Sequence, residues 1–196
     1  MKYIIGIDEV GRGPLAGPVT VCAVLCEEEV YKNLKKDKTL PKVGRDSKKL
    51  SPKQREEYSE VIKRKKIKYS IVHISNKVID KKGVSFAIKS AIKKCLDKLE
   101  IRNLKLEIIL DGGLKAPIEF KSQKTIIKGD EKEKIIAWAS ILAKVSRDKL
   151  MEKSHKKYPK YDFHIHKGYG TRLHRESIKK NGLSEIHRMS FCKNFV

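Results

Sequence analysis

Long apolar segments are missing from this chain of 196 residues. Its longest apolar runs fall well short of the ~20 residues that a membrane-spanning helix needs, and 36% of its residues are charged. The chain begins directly with an apolar strand pattern, without a basic segment and an apolar leader, so we expect a cytoplasmic protein. At this length, with 39% hydrophobic residues, we expect one domain over residues 1–196 and no membrane association.

Cysteine is scarce, and its spacing favours neither a zinc site nor a disulfide framework. The four cysteines are Cys22, Cys26, Cys95 and Cys192. They do not form the paired CxxC motifs of a zinc site, so we expect buried or free thiols. The histidines His164, His166 and His187 lack the cysteine or glutamate partners of a zinc site, and we do not predict one there.

Acidic residues are outnumbered: 24 Asp and Glu stand against 46 Lys and Arg, which gives a formal net charge of +22. Residues 1–30 reverse this balance, with five acidic and two basic residues. A basic body around an acidic segment suits a polyanion that is held by its phosphates and cut at a metal. A lysine-rich surface that serves only solubility has the same composition, and charge alone leaves nucleic acid and anionic membranes open as partners.

The most informative stretch that the chain does contain covers residues 4–19, with the sequence IIGIDEVGRGPLAGPV. We predict a buried strand over residues 2–8, ending in Asp8 with Glu9 directly after it. Charges beside a core need a partner, a metal or water, and the glycines that follow let a ligand approach the backbone. A solvated strand end with an ordinary turn is the alternative. A dinucleotide or phosphate loop is disfavoured, because Pro14 follows the second glycine, two acids would repel a pyrophosphate and no GK[ST] follows.

Strand and helix patterns alternate along the rest of the chain, after a polar, irregular segment at residues 27–45. We predict further strands over residues 18–26, 68–74, 104–110 and 124–128. We predict helices over residues 51–65, 84–99, 131–157 and 171–181, a connection over 75–82 and an aromatic loop over 159–170. This order favours an α/β fold with a mixed sheet.

Three aspartates, Asp8, Asp111 and Asp130, lie at the ends of predicted strands and within three residues of a glycine. Strand ends of an open α/β sheet converge on one site, and carboxylate oxygens are ligands that Mg²⁺ or Mn²⁺ prefers over Zn²⁺. Each aspartate alone is more typical of a turn or a cap, and it is their combination that favours a metal site. Glu9 adds a difficulty, since neighbours in a regular strand point to opposite faces and Asp8 and Glu9 reach one metal only if the strand bends or ends.

Several short motifs follow one another in a fixed order. They are GIDEVGRGPLAGPV at residues 6–19, DSKKL at 46–50, LDG at 110–112, KGD at 128–130, ASILAKV at 139–145 and HKGYGT at 166–171. Together they resemble the ribonuclease HII family, over nearly the whole chain. The resemblance implies an α/β, ribonuclease H-like fold, with a mixed central β-sheet flanked by helices. A helical carboxyl-terminal portion, at about residues 150–196, is then expected to complete the substrate groove.

The resemblance also implies a reaction. Asp8, Glu9, Asp111 and Asp130 would bind two divalent ions, Mg²⁺ or Mn²⁺, one for the attacking water and one for the leaving 3′-oxygen. The expected enzyme hydrolyses the RNA strand of RNA–DNA hybrids and cuts 5′ to single ribonucleotides in duplex DNA. It leaves 5′-phosphate and 3′-hydroxyl ends, and serves ribonucleotide removal and RNA primer removal.

Substrate contacts are implied by the same motifs. Gly11, Arg12 and Gly13 would contact the 2′-hydroxyl, which alone distinguishes ribose from deoxyribose at a fixed position, and Tyr169 would lie against the next sugar. Lys48 and Lys144, within matched motifs, are candidates for phosphate contacts. The same reasoning extends, with less support, to Lys49, Arg147 and Lys167. We expect a monomer, and a contact with a replication clamp is not visible in the sequence.

Two other functions compete with this one. Ribonuclease HIII is a sister enzyme with an extra amino-terminal substrate-binding domain and no junction tyrosine, and here Asp8 lies too near the start for such a domain. A non-catalytic basic nucleic-acid binding module needs the lysines but has no use for four acids at strand ends. One departure from the family pattern, Ile135 and Trp138 in the predicted helix after Asp130, is interpreted as repacking of that helix.

Overall fold

A mixed β-sheet forms the centre of the protein, as seen in a computed structural model that describes residues 1–41, 50–65, 67–101 and 104–194. Within these ranges the sheet has five strands in the order β3-β2-β1-β4-β5. The strands are β1 (Lys2–Val10), β2 (Val19–Glu27), β3 (Lys68–Ile74), β4 (Lys105–Asp111) and β5 (Gln123–Ile126). β1 pairs antiparallel with β2 and parallel with β4, which confirms the prediction of a mixed sheet.

The pairing of β1 with its two neighbouring strands ends at different residues. Its pairing with β2 continues to Val10, opposite Thr20, whereas its pairing with β4 stops at Ile7, opposite Leu110. The next residue on each parallel strand is an aspartate, Asp8 on β1 and Asp111 on β4. The sheet therefore opens between its two central parallel strands at the point where these acids lie.

Helices cover both faces of the sheet. They are α1 (Glu28–Leu34), α2 (Pro52–Arg64), α3 (Asn76–Lys82), α4 (Val84–Lys98), α5 (Lys134–Lys157), α6 (Phe163–His166) and α7 (Arg172–Asn181). Side chains alternate along β1, so that Ile5 and Ile7 pack with α4 while Ile4 packs with α5 and α2. None of these helices has the length and apolar character needed to span a bilayer.

Gly6 allows α5 to lie directly against the sheet. A β-carbon at this position would approach the backbone carbon and oxygen of Ile135 to 2.6 Å, a distance that requires the structure to shift. Asp8 lies two residues further along β1 and therefore faces the same helix. The contact at Gly6 thus sets how close α5 comes to the acidic end of β1.

Alanine at Gly6 should destabilise the protein, because the added methyl group overlaps with helix backbone that cannot rotate away. Overpacking of this kind typically costs about 1–3 kcal/mol, and 1 kcal/mol corresponds to about 2–4 °C in melting temperature for a chain of this size. Thermal unfolding followed by circular dichroism measures the effect. Gly113→Ala is the control, since a β-carbon there meets no atom within 4 Å. Equal melting temperatures for the two variants would contradict the proposed close packing.

Several boundaries differ from the sequence prediction. The segment at residues 27–45 was predicted to be irregular, but α1 lies in it, anchored by the buried Tyr31 with Glu28 and Glu29 in its first turn, where acidic side chains favour a helix. The predicted connection at 75–82 is mostly α3, which buries Ile79. The predicted helix at 131–157 begins only at Lys134.

The carboxyl-terminal portion is helical, as the resemblance implied. After α5 the chain forms a 3₁₀ turn at Pro159–Tyr161, then α6, α7 and a further 3₁₀ turn at Met189–Phe191. It packs on the segment after β1 through a small apolar cluster of Ala16, Met151, Tyr161 and Phe163. This contact brings residues from the two ends of the chain together beside the acidic end of the sheet.

Candidate active site

Three carboxylates meet where β1 and β4 separate. Asp8, Glu9 and Asp111 each place an oxygen so that all three lie within 4.8 Å of one another. Asp8 is buried, with 5% of its surface exposed, and the Glu9 side chain is 16% exposed. The sequence prediction that acids from separate strands converge here agrees with this geometry.

Glu9 reaches the cluster although it follows Asp8 within a strand. The pairing with β4 stops at Ile7, two residues before Glu9. The backbone amide of Glu9 donates a hydrogen bond to Asp8 Oδ1 at 2.7 Å. Glu9 thus joins the cluster while still paired with β2 and beyond the last residue of β1 that pairs with β4.

The electrostatics of the cluster favour a bound cation. Burial raises the pKa of Asp8 well above its ordinary range, and the neighbouring charges of Glu9 and Asp111 raise it further, against a hydrogen bond from the Ser140 side chain. Burial likewise raises the pKa of Glu9, which Arg12 partly offsets from 3.9 Å. A group of hard oxygen donors under mutual repulsion fits a divalent ion such as Mg²⁺ or Mn²⁺.

Asp130 is not one of the three clustered acids. β5 ends at Ile126, and Lys128 then takes a left-handed conformation before a 3₁₀ turn, Gly129–Glu131, that contains Asp130. The turn is nevertheless attached to the cluster, because the Gly129 amide donates to Asp111 Oδ1 at 2.5 Å. The expected four-carboxylate set is therefore present as three close acids with Asp130 on the adjoining turn.

A second potential ligand group has different chemistry. His155, Asp162 and His164 also place ligand atoms within 4.8 Å of one another, at the end of α5 and the start of α6. Imidazole ligands suit zinc-like ions rather than Mg²⁺. His166 and His187, for which no zinc site was predicted, form the hydrogen bonds described below.

The glycine turn, residues 11–13, follows the carboxylates directly. Gly11 has φ +87°, and a β-carbon there would lie 2.3 Å from Arg147 Nε. The carbonyl oxygens of Gly11 and Arg12 accept hydrogen bonds from Arg188. At Gly13 a β-carbon would meet no atom within 4 Å. The turn is therefore fixed by Arg188 through its carbonyl groups, while the space beside Gly13 is open.

The tyrosine loop, residues 168–170, lies against the segment that follows the glycine turn. The amide of Leu15 donates to the Gly168 carbonyl at 2.8 Å, and a β-carbon at Gly168 would come within 2.5 Å of the Ala16 carbonyl oxygen. Tyr169 stays 38% exposed. Its ring is therefore available to a ligand while its backbone is fixed.

One face of α5 connects the carboxylates with the tyrosine loop. Ser140, beside Asp8, is followed at helical spacing by Lys144 and Arg147. The Lys144 Nζ lies 5.5 Å from the centre of the Tyr169 ring and 2.9 Å from Asp148 Oδ1. The structure thus brings together Lys144 and Tyr169, two residues predicted to contact substrate.

Other predicted phosphate contacts have different outcomes. Lys48 and Lys49 lie outside the described residues. Arg147 is fully buried and donates to backbone carbonyls, so the prediction of a phosphate contact is wrong for it. Lys167 donates to Glu152 and to the carbonyl of His164. A basic residue in a matched motif does not by itself indicate whether its charge faces the ligand or the protein.

Two residues beside the site were not predicted to act there. Ser140 lies in the matched ASILAKV motif. A hydroxyl on the sheet-facing side of the predicted helix could have indicated its contact with Asp8. Arg188 was missed because no motif contains it, and its burial depends on contacts more than 170 positions apart in sequence. Only the fold reveals its position behind the glycine turn.

These features define a class of protein. Clustered carboxylates at the open end of a mixed sheet, beside a glycine turn and on a chain of net charge +22, are the features of a metal-dependent nuclease. A sequence model of ribonuclease HII matches residues 5–194. The chain belongs to the ribonuclease HII family and is an endoribonuclease that acts on RNA–DNA hybrids.

Individual relatives support this assignment. Ribonuclease HII of Clostridium perfringens strain SM101 is 45% identical over 195 residues, which cover 100% of this chain and 68% of the relative. The Caldicellulosiruptor bescii ribonuclease HII is 45% identical over 195 residues, covering 100% of this chain and 89% of the relative. The family therefore rests on similarity along the whole described fold.

Solved structures agree in fold. The PCNA:RNase HII complex from Archaeoglobus fulgidus matches with a TM-score of 0.70 and 28% identity, over 100% of this chain and 96% of that one. Ribonuclease H2 from Pyrococcus horikoshii OT3 matches with a TM-score of 0.70 and 24% identity, over 98% and 96%. Bst-RNase HIII in complex with Mn²⁺ matches with a TM-score of 0.69 and 18% identity, over 92% and 63%, which shows a shared fold alone. The ribonuclease H-like fold is thus confirmed.

Proposed function

We propose that this endoribonuclease also cuts 5′ to a single ribonucleotide in duplex DNA and leaves 5′-phosphate and 3′-hydroxyl ends. The observation that carries the proposal is the placement of three elements side by side. The carboxylate cluster, the glycine turn and the tyrosine loop all lie along one face of α5 or the segment packed on it. Hydrolysis and recognition of a sugar can therefore act on neighbouring nucleotides.

Asp8, Glu9 and Asp111 are the proposed ligands of the divalent ions, with Asp130 contributing from the adjoining turn. Bound Mg²⁺ or Mn²⁺ supplies activation of a water molecule and neutralisation of charge on the leaving 3′-oxygen. The protein holds the ligands in place through Ser140, whose side chain bonds Asp8, and through the Gly129 amide on Asp111. Partners of this kind orient metal ligands, and their loss typically lowers metal affinity or activity about 10–100-fold.

Recognition of ribose is assigned to the glycine turn. The carbonyls of Gly11 and Arg12 accept hydrogen bonds from Arg188, which fixes the turn, and we assign the amides of the turn as donors to a 2′-hydroxyl. The open space at Gly13 lets a sugar approach the backbone closely. A 2′-hydroxyl is the group that distinguishes RNA from DNA at such a site.

Tyr169 is assigned to the next sugar, where a deoxyribose fits and a 2′-hydroxyl would crowd the ring. Its backbone is fixed and its ring is partly exposed, as a stacking platform requires. Lys144, beside this ring, and Lys48 are assigned to backbone phosphates. Together these residues would identify an RNA-to-DNA junction.

A labelled DNA duplex with one ribonucleotide tests the proposal, incubated with Mg²⁺, with Mn²⁺ or with a chelator. We expect a metal-dependent nick 5′ to the ribonucleotide and no nick in an all-DNA duplex. A long RNA–DNA hybrid is run in parallel. Cutting of the hybrid alone would overturn the junction role of the glycine turn and Tyr169. Tight, salt-sensitive binding with no cutting under either metal would favour a nucleic-acid binding module.

In the cell we propose ribonucleotide removal from DNA and RNA primer removal, by a cytoplasmic monomer formed by one domain over residues 1–196. All four cysteines are buried free thiols, as is usual in a reducing compartment. The Archaeoglobus fulgidus structure is a PCNA:RNase HII complex, and we include a replication clamp among the proposed partners. Light scattering of the protein alone and with a clamp measures both the oligomeric state and the contact.

A further inference from the structure

Arg188 is a fully buried cation that binds the glycine turn from behind. Its Nη2 donates to the Gly11 carbonyl at 2.7 Å, its Nη1 to the Arg12 carbonyl at 2.9 Å and its Nε to the Gly17 carbonyl at 2.9 Å. Burial lowers its pKa to about 10, so the side chain remains charged at neutral pH. Burying a charge is unfavourable unless it is well hydrogen bonded, and here the planar fork of donors matches three carbonyl groups of one loop.

His187, the residue before Arg188, connects to the tyrosine loop. The Ser184 amide lies 2.8 Å from His187 Nδ1, and because an amide N–H only donates, this ring nitrogen accepts. His187 Nε2 then carries the proton and donates to His174 Nε2 at 3.0 Å. His174 in turn donates from Nδ1 to the Tyr169 carbonyl at 2.9 Å. Each ring therefore donates from one nitrogen and accepts at the other.

The neutral state of both rings is consistent with their surroundings. Burial lowers the pKa of His174 and of His187 to about 4. His166 lies stacked on His174 at 4.2 Å between ring centres and accepts a hydrogen bond from the Gly168 amide. The tyrosine loop is therefore held by side chains at both Gly168 and Tyr169.

The segment that contains His187 and Arg188 also forms backbone hydrogen bonds with residues 15–17, which follow the glycine turn and contact the tyrosine loop. The Arg188 amide donates to the Leu15 carbonyl at 2.7 Å, and the Gly17 amide donates to the Ile186 carbonyl at 2.9 Å. The segment is thus in register with residues 15–17. It has one side chain directed to each loop.

We propose that Arg188, and His187 acting through His174, are positioning residues that fix the glycine turn and the tyrosine loop relative to each other and so set the selectivity for an isolated ribonucleotide. This inference rests on the proposed junction recognition. Neither residue belongs to the carboxylate cluster, so their effect is on placement of the sugar rather than on the hydrolytic chemistry. The carboxyl-terminal segment thereby acts as a specificity determinant.

The effect should depend on the substrate. The RNA strand of a long hybrid contains no ribose followed by a deoxyribose, so cutting within it does not require the two loops to fit a junction together. A duplex with one ribonucleotide offers a single register, in which both loops must fit at once. We define the junction ratio as kcat/KM on the single-ribonucleotide duplex divided by kcat/KM on the long hybrid.

The test uses Arg188→Lys, Arg188→Met and His174→Phe in the full chain. Lysine keeps the charge without the fork of donors, methionine removes both, and phenylalanine keeps an aromatic ring but cannot donate to the Tyr169 carbonyl. We expect the junction ratio to fall about 10–100-fold, since misplacement of about 1 Å has effects of this size. The fall should be larger for Arg188→Met than for Arg188→Lys.

The controls separate positioning from folding. Arg172→Lys changes an exposed arginine that pairs with Glu176 and should leave the junction ratio unchanged. Circular dichroism and melting curves check that the variants fold, and the rise in melting temperature on adding Mg²⁺ checks the carboxylate site. His174→Phe keeps the proposal testable if both Arg188 variants fail to fold.

Three outcomes have distinct meanings. A lower junction ratio in folded variants, with hybrid cutting and the Mg²⁺ response retained, supports the inference. Equal losses on both substrates would overturn it and leave Arg188 and His174 as structural residues. Failure of the unmodified protein to cut at a single ribonucleotide would overturn the junction proposal, and this inference with it.

Discussion

Asp8→Asn should abolish cutting while leaving the binding of an RNA–DNA hybrid intact or stronger. Asp8 is the most buried of the three clustered carboxylates, and the exchange removes one of the proposed metal ligands. Removal of groups that only orient ligands costs about 10–100-fold, so we expect a loss of more than about 100-fold here. Binding should persist, because the exchange removes a negative charge that repels phosphate. Single-turnover cleavage and filter binding measure the two effects.

The same substitution should stabilise the metal-free protein. Burial and neighbouring acids raise the pKa of Asp8 above its ordinary value of 3.8, so the folded protein holds this proton more tightly than the unfolded chain. Stability in chelator should therefore fall as pH rises from the ordinary value towards the raised one. Asp8→Asn removes the part of that fall due to Asp8, while Glu9 keeps its own, and the melting temperature of the variant in chelator at neutral pH should exceed that of the unmodified protein.

Divalent ions should reverse this order of melting temperatures, so that the unmodified protein becomes more stable than Asp8→Asn. Mg²⁺ stabilises whatever state binds it, so it should raise the melting temperature of the unmodified protein and raise that of Asp8→Asn much less. Asp97→Asn is the matched control, since Asp97 is exposed on α4 and pairs with Lys93. Normal cutting by the Asp8→Asn protein would disprove the assignment of the site.

The second large effect is expected for Gly13→Ala, which should lower cutting about 100-fold without changing stability. A β-carbon at Gly13 meets no protein atom within 4 Å, so the methyl group occupies only the space that a sugar would use. Displacement of a reacting group by about 1 Å is enough for a loss of this size. Cleavage kinetics on the single-ribonucleotide duplex and thermal melting measure the two quantities.

Two comparisons make this result interpretable. Gly113→Ala adds a methyl group near Asp111, also with no atom within 4 Å, and should leave cutting close to normal. Gly11→Ala should destabilise the protein, because Gly11 has φ +87° and a β-carbon there overlaps Arg147. If Gly13→Ala cuts normally, the substrate does not approach the turn at that position.

Local patterns in the sequence were sufficient for the sheet and the main helices. The start of the helix predicted over residues 51–65 is encoded locally by Ser51 followed by Pro52, and the structure shows a complete capping box of Ser51 with Gln54. The predicted bounds of β3 and α4 agree with the structure to within one residue, because an alternating strand and a helix with one apolar face are both encoded locally. The fold class could therefore be predicted from periodicity and confirmed by the comparisons.

The parts that depend on distant contacts could not be predicted in this way. Whether Glu9 joins Asp8 depends on where β4 stops pairing with β1, which no local pattern encodes. The short strand before Asp130 ended early because Lys128 takes a left-handed conformation, for which its sequence gives no signal. The inward direction of Arg147 was likewise invisible, since a basic residue on a helix has the same sequence signature whether it is buried or exposed.

Helix α5 has a consequence for the position of the cut. It contacts Asp8 through Ser140 and the Tyr169 ring through Lys144, four residues and about 6 Å apart along its axis. In the proposed function, the helix therefore sets the distance between the bond to be cut and the sugar that Tyr169 would contact. One residue inserted between these two positions would rotate everything beyond it by about 100°, so α5 should tolerate exchanges of side chains but no change of length.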